Sequence, residues 1–98
     1  MRRFTLDAYV MDTLMPDLVL HDRRPSAFLV YLHLWYRSAG RQTAAVRASH
    51  REMVDATGLS KSAVQAAIRT LTRRRLVRAT RQTPTAVPEY TVLRPWRR

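Results

Sequence analysis

Residues 49–77, SHREMVDATGLSKSAVQAAIRTLTRRRLV, decide how this chain is read. Ser49 followed by Glu52 forms a capping box, in which the hydroxyl meets one orphan amide and the carboxylate reaches back to another. A short helix follows, with Met53, Val54 and Thr57 on its inward side. Gly58 stands where that helix must stop, because glycine takes the left-handed conformation without a Cβ penalty. Leu59 plugs the corner, and Ser60 is a good N-cap for a second, longer helix. Along that helix Val64, Ala67, Ile68 and Leu71 make one apolar stripe. The opposite face carries Lys61, Ser62, Gln65, Arg69, Thr72 and Arg73. It holds no acid.

The rest of the composition agrees with a basic module. The chain has 98 residues, enough for one domain with little core to spare, and a net charge of +11. That charge is uneven. Residues 1–40 hold five arginines and four aspartates, a net of +1, whereas residues 41–98 hold thirteen basic and three acidic groups, a net of +10. A basic half joined to a nearly neutral, apolar half suggests a polyanion-binding module on an assembly module. Cysteine is absent, which excludes disulfides, thiolate metal sites and cysteine nucleophiles. No apolar run approaches the roughly 18 residues of a membrane span, and Met1-Arg2-Arg3 leads to Thr5 and Asp7, not to a signal-peptide core. A cytoplasmic, nucleoid-associated protein is the expectation.

Before the central stretch, the pattern predicts a helix from about Thr5 to Leu14, capped by Thr5, with Leu6, Val10 and Leu14 every four residues. Pro16 should end or kink it, with Asp17 to Leu20 as a further turn. Asp7, Asp12, Asp17 and Asp22 recur every five residues. On an α-helix, at about 100° per residue, they share no face and read as solvated charge, not as a metal or acid–base cluster. His21 to Arg24 is a polar break. Pro25 suits a first helical position, and Ser26 to Arg37, SAFLVYLHLWYR, is apolar nearly all round. Such a helix must be covered on several sides, by the N-terminal helix or by a partner subunit's copy of it. Leu6, Tyr9, Val10, Leu14, Leu18, Leu29 and Tyr36 are therefore the expected dimer interface. His33 reads as a packed histidine.

Ser38-Ala39-Gly40 ends that helix, Arg41 to Thr43 is loop, and Ala44 to Ala48 is a short strand. Leu76 to Gln82 alternates Val77 and Ala79 with Arg78 and Thr80, a half-buried strand. Thr83 to Pro88 is rich in breakers, and Glu89 to Leu93 is a third strand. Trp96 sits in a basic tail, either stacking on nucleic acid or folding back on the core.

The pattern Glu52-Met53-Val54, Gly58-Leu59-Ser60-Lys61-Ser62-Ala63-Val64-Gln65, Ala67-Ile68, Leu71 and Leu76-Val77 resembles the helix-turn-helix of winged-helix DNA-binding proteins. MarR-like and GntR-like regulators and plasmid replication initiators are of this type. The resemblance implies a mainly α fold with a small antiparallel β wing (α+β), preceded here by an extra N-terminal helix for dimerisation. The single domain 1–98 then divides into a cover segment 1–24, a core helix 25–37, the helix-turn-helix 49–75 and a wing 76–94. One departure stands out. The helix-to-strand junction in such proteins usually carries glycine, and here it reads Arg74-Arg75-Leu76-Val77. Either Arg75 takes a left-handed conformation or the junction is built differently.

A recognition helix, here about 60–74, lies in the major groove of double-stranded DNA with its N-terminal residues against base edges. The resemblance makes Lys61, Ser62, Gln65, Ala66 and Arg69 the base-facing set, with Ser60 and the helix amides near phosphate. Gln65 suits adenine and Arg69 suits guanine or a phosphate. Arg47, His50 and Arg51 are expected phosphate anchors, and Arg73 is either a further contact or a solvated helix end. Arg78, Arg81, Thr83 and Thr85 would serve the wing, with Arg81 directed at the minor groove.

A homodimeric transcription regulator on a pseudo-palindromic site is the reading. A protein-interaction module or inhibitor, a replication-initiation protein and an architectural DNA binder remain the alternatives. No phosphate loop, paired histidines or nucleophile motif is present, so no enzyme, metal or cofactor is expected, and no small-molecule effector is evident.

Overall fold

Ser49 and Gly58 set the bounds of the first motif helix in the computed structural model, which describes residues 1–39 and 45–97. Helix α2, His50–Thr57, begins where the Ser49 hydroxyl accepts from the Glu52 amide at 3.0 Å. Only half of the expected box forms. The Glu52 carboxylate turns instead to Arg37, at 3.6 Å. Gly58 ends the helix with φ +76°, and the Thr57 hydroxyl, donating to the Met53 carbonyl, also accepts from the Leu59 amide at 3.2 Å. Leu59 packs against the core at the corner. Helix α3, Lys61–Arg73, starts from Ser60, whose hydroxyl accepts from the Ala63 amide at 3.1 Å. Val64, Ala67, Thr70 and Leu71 are its buried face.

Arg75 settles the junction question. It has φ +57°, its amide donates to the Thr72 carbonyl at 3.1 Å, and the Leu76 amide donates to the Leu71 carbonyl at 2.9 Å. These are the two bonds of a Schellman stop, with buried Leu76 against buried Leu71 as its apolar contact. An arginine occupies the place where glycine would cost nothing.

Helix α1, Pro25–Ser38, is the centre of the molecule, and it contacts α2, α3, the N-terminal arm and the sheet. Ala27, Phe28, Val30, Tyr31, Leu34, Trp35 and Ser38 are buried around it. The two of its buried aromatics that carry a polar group, Tyr31 and Trp35, keep it satisfied, as burial requires. The Tyr31 hydroxyl donates to the Leu93 carbonyl and Trp35 Nε1 to the Thr5 carbonyl, both at 2.8 Å. The predicted Gly40 stop and the Arg41–Thr43 loop lie outside the described residues, as does Ala44.

The arm departs from expectation. Helix begins at Ala8, not at Thr5, and continues past Pro16 in two wide, π-type turns, Val10–Leu14 and Asp17–His21. The Met15 amide bonds Val10 and the Asp22 amide bonds Asp17, each five residues back. Pro16, with φ −63° and ψ −34°, precedes the second turn, where a missing amide breaks none of that turn's bonds. Wide turns also change the meaning of the acidic repeat. Residues five apart now lie one above the other, and Asp17 and Asp22 both meet Arg74 at the end of α3, at 3.5 and 3.6 Å. For Asp17 and Asp22 the α-helical reading as solvated charge with no shared face is thereby corrected, whereas Asp12 remains exposed.

Strands β1 (Ala45–Arg47), β2 (Val77–Thr80) and β3 (Glu89–Val92) form one antiparallel sheet in the order β1-β3-β2. Val46 faces Tyr90, Val77 faces Val92 and Ala79 faces Tyr90. Val46, Val77, Tyr90 and Val92 enter the core, whereas Ala79, expected inside, is exposed. Beyond Val77 the strand has left the helices, so its inward positions border an open cleft. The architecture is α+β, with the helices packed on one small antiparallel sheet.

Candidate nucleic-acid interface

The outward side of α3 is built by its stripe. With Val64, Ala67 and Leu71 fixed inward, Lys61, Ser62, Arg69 and Arg73 are exposed, and Gln65 and Ala66 are half-buried beside them. The Ser60 oxygen accepts the cap bond from the Ala63 amide and lies 3.2 Å from the Ser62 hydroxyl.

Gln65 and Arg69 form one wall of a cleft of ≈ 400 Å³ whose other wall is the sheet, through Ala79, Arg81, Pro88 and Tyr90. Ile68 and His50 complete it. His50 is shared with a second hollow, formed with Arg51, Val54 and Lys61. Arg81 is shared with a third, which runs past Arg47, Thr80 and Glu89 to the β2–β3 loop. One continuous surface thus joins Lys61, Arg51, His50, Gln65, Arg69, Arg81 and Arg47. It brings together half of the residues that the sequence nominated.

The electrostatics centre on His50. Partial burial holds its imidazole below the ordinary histidine value, and the charges of Arg81 and Lys61 push it the same way. Its neutral form is thereby favoured, in a field that favours an anion. Burial pushes the Tyr90 hydroxyl up, with Arg81 opposing. Arg51 is partly engaged by Asp55, 3.2 Å away across one helical turn. Arg81 also folds the loop, donating from Nη1 to the Pro84 carbonyl at 3.3 Å, and Thr83 and Thr85 are exposed at its tip. Arg78 stands apart, with Thr72 and Arg75 around a hollow at the C-terminal end of α3. Arg73 is exposed at the last position of that helix.

Sequence reasoning did not single out Pro88 or Tyr90 as walls of the cleft. The alternation of β3 put Tyr90 inward, but not its edge against Gln65 and Arg69. Trp96 folds back: its ring stacks 4.5 Å from Tyr9, and Nε1 donates to Asp7 at 2.8 Å. The residues expected at a dimer interface scatter. Val10, Leu14 and Leu18 are buried in the chain's own core, Leu6 is half-buried, and Tyr9 covers Trp96. Tyr36 meets Phe4 edge-on at 5.2 Å, under the Arg2 guanidinium. Of that set, Leu29 alone lies on an open apolar face, 43% exposed. Of the two covers expected for α1, the N-terminal helix or a partner's copy of it, the chain's own arm packs there.

No family model, curated protein or solved structure matches this chain. Its chemistry has to be argued from its own residues. Among the described residues, no cluster of three His, Asp or Glu side chains is placed to hold a metal ion, and no helix is long and apolar enough to cross a membrane.

Proposed function

We propose that the chain is a winged helix-turn-helix protein that binds double-stranded DNA in a sequence-specific way and regulates transcription, acting as a homodimer on a pseudo-palindromic site. The observation that carries this reading is the cleft itself. Gln65 and Arg69 on the acid-free face of α3 look across it at Arg81, the first residue past β2. A ridge bearing base-reading side chains and a basic loop beside it suit a major groove and its flanking backbone.

In this arrangement α3 enters the major groove from its Lys61 end. Gln65 pairs with adenine, Arg69 with guanine, and Ala66 leaves room for a thymine methyl. Lys61, Arg47 and Arg51 hold phosphates and set the register without reading sequence. Arg81 and the Thr83–Thr85 tip follow the backbone towards the minor groove. The exposed face of α3 is polar and basic, where a helix that docks on another protein needs apolar anchors.

Selection from random duplex DNA at physiological salt tests the reading, because counterion competition suppresses non-specific binding there. A two-fold symmetric motif is the expected result. Binding confined to low salt with no motif would reduce the protein to an architectural binder, and no binding would end the nucleic-acid reading.

A further inference from the structure

The arm and α1 leave one apolar groove open. Met11, Met15, Val19 and Leu20 line it from the arm and Leu29 from α1, in a hollow of ≈ 490 Å³. All five are substantially exposed, Leu20 to 67% and Leu29 to 43%. Scattered exposed apolar side chains are ordinary, but a contiguous groove without a polar lining marks an interaction site.

The charge around the groove identifies its occupant. Exposed Asp12 follows Met11, the first groove-lining residue of the arm, in sequence, and exposed Arg23 and Arg24 lie in sequence between Leu20 and Pro25, lining residues at the other end of that stretch. Among the described residues, none of the three makes an ion pair within the chain. An element with an unpaired acid at one end and unpaired bases at the other is complementary to itself when reversed, as a two-fold contact requires. This half of the sequence also has a net charge of only +1, against +10 for the remainder. It is the region where two chains of +11 can approach with least repulsion.

We infer that the groove seats a second copy of this chain, the two arms running antiparallel across a two-fold axis with Asp12 of each facing Arg23 and Arg24 of the other. The inference deepens the dimeric part of the proposed function. It assigns the contact to the outer side of the arm and not to Val10, Leu14 and Leu18, which the core has already taken.

Light scattering during size exclusion, without DNA, tests this independently of nucleic-acid binding. The full chain at micromolar concentration should have twice the 11.4 kDa mass of one copy. Leu29→Glu and, separately, Leu20→Glu should each weaken the dimer by about thirtyfold or more, with unchanged circular dichroism. Asp12→Arg should weaken it about tenfold, and Asp12→Arg combined with Arg23→Glu and Arg24→Glu should restore it. Rescue by the charge reversal requires the antiparallel pairing of identical arms. A monomer at all micromolar concentrations overturns the proposal, as does a dimer indifferent to both glutamate variants or a charge reversal that fails to rescue. A monomer whose groove takes up an amphipathic peptide would assign the groove to another partner, and would equally overturn it. Loss of DNA binding in a chain that still dimerises would count against the proposed function alone.

Discussion

Asp7 and Arg97, ninety positions apart, form a two-pronged pair in which the guanidinium donates from Nε at 2.7 Å and from Nη2 at 2.6 Å. Trp96 Nε1 adds a third hydrogen bond to the same carboxylate. The two ends of the chain are thereby closed over the Trp35 ring, which stacks 6.2 Å from Trp96 and lies under the Arg94 guanidinium. A short chain with a modest core gains from tying its ends in this way.

The clamp predicts acid sensitivity. The Arg97 hydrogen bonds, opposed by partial desolvation and aided by Trp96, hold the Asp7 carboxyl down at about 2, against 3.8 for a free aspartate. Its contribution is complete above 3.8 and is lost as the pH falls from there towards about 2. Thermal unfolding followed across that range should show a drop in melting temperature that Asp7→Asn removes. At neutral pH the same variant should melt a few degrees below the parent. An unchanged acid profile in Asp7→Asn would mean that the pair holds nothing together.

Two left-handed residues bound α2 and α3, and they should respond in opposite senses. A Cβ on Gly58 meets nothing within 4 Å, so Gly58→Ala pays only for its φ of +76°, about 1 kcal/mol. Arg75 already bears that strain at φ +57°, so Arg75→Gly should stabilise the fold by roughly 0.5–1 kcal/mol. Urea midpoints at unchanged m-values measure both. Destabilisation by Arg75→Gly would show that the arginine side chain contributes more than its backbone costs.

How far the fold was legible in the sequence depends on how local its causes are. The caps at Ser49 and Ser60 and the stop at Gly58 are set by neighbours three or four residues away and appear where the pattern puts them. The stripe of α3 does so at Val64, Ala67 and Leu71, whereas Ile68 is half-buried on the cleft and Thr70 takes the buried place. The arm departs from its sequence pattern because its turns are of π type and not α-helical. Its i→i−5 bonds are fixed by packing on α1, which no local signal announces, and with that period the five-residue spacing of Asp17 and Asp22 becomes a seat for Arg74. Ala79 obeyed the strand period but not the burial, since burial depends on where the helices end. The convergence of His50 on Arg81 and Lys61 is likewise a product of tertiary placement.

That convergence predicts a proton linked to binding. Burial, Arg81 and Lys61 hold His50 below the ordinary histidine value of 6.5 in the free protein, and a phosphate beside it would raise it again. A proton is then taken up on binding, and duplex affinity should rise as the pH falls from neutrality through 6.5. His50→Gln should flatten that dependence while leaving affinity at higher pH nearly unchanged. Fluorescence anisotropy at constant ionic strength is the measurement, and an equal slope in parent and variant would remove His50 from the interface.

The division between reading and positioning residues gives the sharpest test of the cleft. Gln65 and Arg69 sit on its α3 wall, and in the proposed complex their amide and guanidinium ends would meet base edges. Replacing either with alanine should cost roughly 1–3 kcal/mol on the selected site and relax preference at one or two base pairs. Arg47, exposed on β1 at the far end of the same surface, should behave differently. Arg47→Ala should weaken binding to all duplexes alike and reduce the slope of log affinity against log salt by about 0.9. Titrations of the selected site and of single-base variants at several salt concentrations separate the two patterns. If Gln65→Ala and Arg69→Ala also lose affinity uniformly, α3 touches only the backbone, and sequence selection must reside in the wing.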